Sequence, residues 1–154
     1  MSLARLQLHK YRLETLIIEF DEDWLEAAES GEAEEHSETY NVEAKVGFYS
    51  KEEAEKEAAI RLLVNCTPET GRCRFRQVRI VLWGIFVADA TLDENEKARY
   101  FGLNGPSILH GLARGIVASA TGGCVEGPFI IPALNFAEIL AAQAADEDGE
   151  DVDE

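Results

Sequence analysis

A chain of 154 residues with 46% apolar side chains is long enough for one domain and too apolar to remain unfolded throughout. Its 30 acids against 14 bases leave a net charge of −16, which excludes nucleic acid as a general partner, because phosphate binding needs clustered Lys and Arg. No apolar run approaches the roughly 18 residues that span a bilayer, so membrane insertion is not expected.

The first 20 residues carry charges throughout and lack the apolar stretch of a secretion signal, so a cytoplasmic location is expected. Leu6, Leu8, Leu16, Ile18 and Phe20 fall at even positions, which predicts one long strand or two short ones. Lys10 and Arg12 interrupt that face, so the strand should bend. Residues 21–39 are acidic and polar around Trp24 and Leu25. That stretch is too long for a tight turn and should cross the sheet, with room for a short helix near Trp24–Glu29.

Tyr40, Val42, Ala44, Val46 and Phe48 alternate with polar residues, which predicts a half-buried second strand. The charged run at 50–59 reads either as a helical turn or as a polar extension of the next strand. Ile60, Leu62, Val64 and Cys66 mark a third strand. Residues 67–71 then carry hairpin-turn chemistry, with Pro68 presetting the bend and Gly71 free to adopt positive φ.

The fourth strand is expected from about Arg72 to Val87. Arg72, Arg74 and Arg76 share a face with Val78, Ile80 and Leu82, and pairing with acids on neighbouring strands is their simplest role. Residues 89–103 link sheet to helix. A helix is expected to start near Asn104 and Pro106 and to stop at Gly122–Gly123. A second has Asn135 as its cap, with Glu138 three residues on. Four strands followed by two helices define an α+β fold, a single domain over 1–145, with 146–154 a disordered acidic tail.

Chemistry is weakly signalled. His9, His36 and His110 are scattered, and His110 with Arg114 one turn on reads as a solvated or interface pair. Cys66, Cys73 and Cys124 lack metal spacing, and no cofactor is implied. Cys66 and Cys73 flank the hairpin turn and either face each other or are two reduced residues of the sheet. No convergent acid–base set argues for an enzyme. Gly111, Gly115 and Ser119 instead make a smooth helical stripe that suits close packing, on the chain's own sheet or on a second copy, while Ile108, Leu109, Leu112 and Ile116 need cover of their own. Phe129, Ile130, Ile131, Leu134, Phe136, Ile139 and Leu140 exceed what one short helix usually buries, so the surplus could line an apolar groove with Trp24.

Residues 106–117, PSILHGLARGIV, resemble the first-helix signature of the SecB family of export chaperones. IPALNF at 131–136 is similar to that family's loop and second-helix start, and GIF at 84–86 to the end of its fourth strand. The resemblance implies a four-stranded antiparallel sheet with two C-terminal helices packed on one face, and a homotetramer built as a dimer of dimers. Gly111, Gly115 and Ser119 would then lie at or near the oligomer interface. It also implies an ATP-independent holdase that binds unfolded polypeptides or preproteins, with Trp24, Tyr40, Val42, Phe136, Ile139 and Leu140 in the client groove. Glu14 and Glu19 would serve docking on the translocase motor. Thr15, Gln77 and Arg79 depart from the family pattern there, and Arg79 reverses the charge. SecB-like adaptors dedicated to one client, such as an antitoxin of a toxin–antitoxin module, are the alternative.

Overall fold

The computed structural model describes residues 4–31, 38–50, 57–124 and 126–150, the side chains of 148–150 aside. His36, the charged run at 51–56 and the last four residues lie outside them. Four strands, β1 (Leu6–Phe20), β2 (Tyr40–Ser50), β3 (Glu57–Pro68) and β4 (Phe75–Ala88), form one antiparallel sheet in the order β1-β4-β3-β2. β1 and β2 are therefore its two edges, which is why the segment after β1 must cross the sheet. A short helix, α1 (Glu22–Glu29), opens that crossover, capped by Asp21 Oδ1 accepting from the Trp24 N–H.

β1 is a single strand with three irregularities in its pairing to β4, and the first two decide which way its side chains point. The register skips His9 and again Glu14, and each skip moves the following residues to the other face. Leu6 and Leu8 pair with Ala88 and Phe86 on the helix-covered side. Lys10 and Arg12 then pair with Ile85 and Trp83 on the outer side, and the second skip returns Leu16 and Ile18 to the core. The predicted bend is thus two bulges, and they expel the cations. They also turn Tyr11 and Leu13 toward the helix side, where both remain exposed.

β2 and β3 alternate as expected, with Val46, Ile60, Leu62, Val64 and Cys66 buried. β3 starts earlier than the sequence suggests, at Glu57, so its polar beginning belongs to the strand. Gly71 does take positive φ, at 72°. The connection is wider than a tight hairpin, however, because β4 starts only at Phe75. Cys66 pairs with Val78, so it does not face Cys73, and the cysteines are free thiols. Burial pushes the Cys66 thiol up to about 11 and raises that of Cys73, leaving both neutral.

The linker expected at 89–103 is largely helical. Asp93 and Glu96 form a reciprocal capping box that starts α2 (Glu94–Arg99). A π-helical turn over Tyr100–Asn104 joins it directly to α3 (Gly105–Thr121), with Pro106 in the first turn. α3 packs through Leu109, Ala113 and Val117, spaced one turn apart and fully buried. Its N-terminus lies so close to the sheet that a Cβ on Gly105 would collide with Ile60 Cδ1. At Gly84, likewise, a Cβ would stand 2.7 Å from Phe86 and 2.8 Å from Leu109. These two glycines, and not the stripe, allow the close approach. α4 (Phe136–Glu150) starts behind Asn135, whose Oδ1 accepts from the Ala137 N–H at 3.2 Å while its Nδ2 donates to Glu138. The helix runs through residues 146–150, into the stretch read from sequence as an unstructured tail.

Candidate functional site

The six residues expected to line a client groove do not form one open surface. Trp24 and Phe136 are only 3% and 5% exposed, so neither offers a face to a ligand in this conformation. Phe136 belongs to the main core, where its ring meets His110 edge-on at 5.7 Å. Tyr40 and Val42 are half-buried. The Tyr40 hydroxyl accepts from the Phe75 N–H at 3.1 Å, and its ring meets Phe129 edge-on at 5.0 Å. Burial first, with smaller charge effects, pushes the Tyr40 hydroxyl up to about 12, so it stays protonated. Phe129 also contacts Phe75, which contacts Phe20. Tyr40 thus belongs to a chain of rings that fastens the apolar loop to the sheet.

The open apolar surface lies further along β2. A cleft of about 400 Å³ runs between the β2 edge and α4, lined by Val46, Phe48, Tyr49, Leu140, Gln143 and Ala144 among others. A second hollow of about 320 Å³ shares Phe48 and Tyr49 and reaches Ala98, Phe101 and Gly102 at the π-helical turn. Phe48 is 44% exposed and Tyr49 52%. Of the six predicted residues only Leu140 lines this groove. Phe48 belongs to the apolar alternation that predicts a half-buried strand. It lies near the end of β2, with Ala144 and Glu147 of α4 across the cleft from it.

One contact fixes α4 to the strand edge. The Val46 N–H donates to Gln143 Oε1 at 2.9 Å, and Gln143 Nε2 donates to the Val46 carbonyl at 3.0 Å. Nothing in the sequence pattern marks Gln143, because the pairing spans 97 residues.

Gly111, Gly115 and Ser119 are exposed, and a Cβ on either glycine would meet nothing within 4 Å. The stripe is therefore not packed on the chain's own sheet. Ile108 is 36% exposed, with Leu112 and Ile116 half-buried beside the buried face of α3. His110, expected with Arg114 to be a solvated or interface pair, is 6% exposed and so is not solvated. Burial, and then the Arg114 charge, hold its pKa below the ordinary value, against a hydrogen bond with the Pro132 backbone that raises it.

The outer sheet face, left bare by the helices, carries a different chemistry. Glu14 accepts from Arg61 Nε and Nη2, each at 3.0 Å, and from Trp83 Nε1. These bonds, with Arg61 foremost, pull the Glu14 carboxyl down to about 2. Arg12 and Arg61 also stand 5.9 Å from the Trp83 ring centre, and Tyr49 stacks against it at 5.0 Å. Glu14 is thus already engaged by its own sheet. Glu19 is exposed opposite Gln77, whose amide donates to Asn65, and Arg79 lies opposite Ile17. Among the described residues no group of His, Cys, Asp and Glu could hold a metal ion, and no helix is long and apolar enough to cross a membrane.

The fold these elements build, a four-stranded antiparallel sheet with helices, is similar to that of a solved SecB-like chaperone. No family model and no curated protein sequence matches the chain. Among solved structures, the SecB-like chaperone Rv1957 of Mycobacterium tuberculosis, in complex with a ChAD peptide from the Rv1956 HigA1 antitoxin, superposes with a TM-score of 0.55. The identity is 15%, covering 85% of this chain and 91% of that one. A protein of unknown function from Streptococcus agalactiae is 12% identical, covers 86% of this chain and 100% of its own, and has a TM-score of 0.46.

Proposed function

We propose that this protein is an ATP-independent holdase of the cytoplasm that binds extended apolar segments of unfolded polypeptides or preproteins. The observation that carries this reading is the apolar groove between the β2 edge and α4, with Phe48 and Tyr49 exposed among its lining residues. Burial of client side chains there is worth about 25 cal/mol per Å² before ordering costs. The chain's −16 charge favours basic clients and keeps a loaded complex soluble. Such binding asks for no acid–base pair or metal.

A homotetramer, a dimer of dimers, fits the surfaces left open: the Gly111/Gly115/Ser119 stripe, Ile108, and Tyr11 and Leu13 on the free edge of the sheet. Of the six residues first assigned to the groove, Leu140 stays in the proposed contact set with Phe48 and Tyr49. Tyr40, Val42 and Ile139 are half-buried, and Trp24 and Phe136 are enclosed. The engagement of Glu14 by Arg61 and Trp83 argues against motor docking through that carboxylate and leaves Glu19 as its acid.

The test is suppression of aggregation of a chemically denatured model protein at stoichiometric ratios without ATP. Phe48→Glu should weaken holding at least fivefold with circular dichroism and mass unchanged; equal holding by that variant would refute the groove. An adaptor dedicated to one client, such as an antitoxin, is the second reading, favoured by the peptide bound to the similar Rv1957. Pull-down separates them, since an adaptor retains one tight partner and spares generic clients.

A further inference from the structure

We propose that the free edge of β2 binds a client segment by strand addition, and that the Gln143 side chain holds the place of one client peptide group. This deepens the holdase reading and rests on it. A carboxamide has the same donor and acceptor as a peptide bond. Gln143 uses both on one residue, accepting from the Val46 N–H at 2.9 Å and donating to its carbonyl at 3.0 Å. A neighbouring antiparallel strand exchanges this pair of bonds at every second residue.

β2 is an edge strand, and its pairing with β3 runs without a bulge from Tyr40 to Ser50. The N–H and C=O of Ala44 and Phe48 therefore point the same way as those of Val46, toward the open edge. Among the described residues, Gln143 bonds the middle one of the three. Proteins usually blunt such edges with charges, proline or a covering element, because exposed ladder groups recruit another strand. Here the cover is one neutral side chain that a peptide can replace bond for bond.

The surroundings define the occupant. Phe48, Leu140 and Ala144 would receive apolar side chains of an added strand, and Glu147 stands beside them. Together with the −16 charge this selects an extended segment of alternating apolar residues carrying lysine or arginine. Recognition through backbone bonds asks little of client sequence.

The experiment uses the full chain and a synthetic decapeptide of alternating valine and threonine with lysine at each end. Two further versions are N-methylated on alternate residues, in one register or the other. Methylation in one register should weaken binding at least tenfold and in the other hardly at all. Bound peptide should slow hydrogen exchange of the Ala44 and Phe48 amides at least tenfold. Gln143→Leu, which removes the placeholder at similar volume, should tighten binding about fivefold, the worth of one net hydrogen bond. If both methylated versions bind like the parent and the two amides exchange unchanged, strand addition is wrong while the holdase reading stands. A chain that suppresses aggregation yet ignores the decapeptide has the same meaning. If neither the decapeptide nor a denatured protein is held, both readings fall. Should Gln143→Leu dimerise without peptide and protect the same amides, the occupant is a second copy and the proposal is overturned.

Discussion

Arg74 and Glu38 form an ion pair, Nε to Oε1 at 3.0 Å, that ties the approach to β4 to the approach to β2. Arg74 is 4% exposed, its Nη1 donates to the Gly127 carbonyl at 2.8 Å, and its guanidinium lies 4.7 Å from the Phe75 ring centre. One side chain thus joins sheet, crossover and the loop before α4. Glu38 is exposed and would be solvated once its partner is gone, so Arg74→Met should cost about 1–2 kcal/mol, mainly the lost hydrogen bond to the Gly127 carbonyl. A urea midpoint lowered without a changed slope would show it; an unchanged midpoint would reduce this hub to packing.

His110 predicts how stability responds to acid. Its folded pKa lies below the unfolded value of 6.5, chiefly through burial. The unfolded chain therefore binds the proton first, and stability present above about pH 6.5 is lost as pH falls toward the folded value. His110→Phe keeps a ring against Phe136 and removes the proton site. Urea midpoints at pH 7.5 and 5.5 should differ less in the variant than in the parent.

Glu14 acts in a lower window. Its carboxyl is drawn down to about 2 from 4.5 by Arg61 and Trp83, so its contribution is present above about pH 4.5 and lost as pH falls toward 2. Glu14→Gln should lower the urea midpoint at pH 7 and narrow its gap to the parent at pH 3. A gap that stays constant with pH would mean the carboxylate charge contributes nothing.

The glycines of α3 separate by role. Gly105→Ala should destabilise by about 2 kcal/mol, because its methyl would displace the buried Ile60 side chain. Gly111→Ala and Gly115→Ala meet open space, so each should stabilise the isolated chain by up to about 1 kcal/mol through helix propensity. Gly115→Leu, measured by sedimentation, should lower the assembled mass if the stripe is an interface. An unchanged mass would place assembly elsewhere.

The strands, both main helices and the α+β class were legible because burial repeats every second residue in β2 and β3 and about every fourth in α3. Asn135 and Glu138 marked the start of α4 in the same local way. Asp93 and Glu96 carried an equal signal for α2, in a stretch treated as linker. The groove was not legible. Trp24 and Phe136 look like ligand-facing residues by type and are enclosed, while Phe48 stands in the alternation of a half-buried strand and is open.

Local periodicity and capping follow from steric and hydrogen-bonding rules within a few residues, so the sequence by itself determined the elements and the faces they bury. Which surfaces remain uncovered depends on how α4 is held against the β2 edge and which way the bulges of β1 turn. Those are settled by contacts between distant residues, such as Gln143 with Val46 and Glu14 with Arg61, that only the tertiary structure brings together.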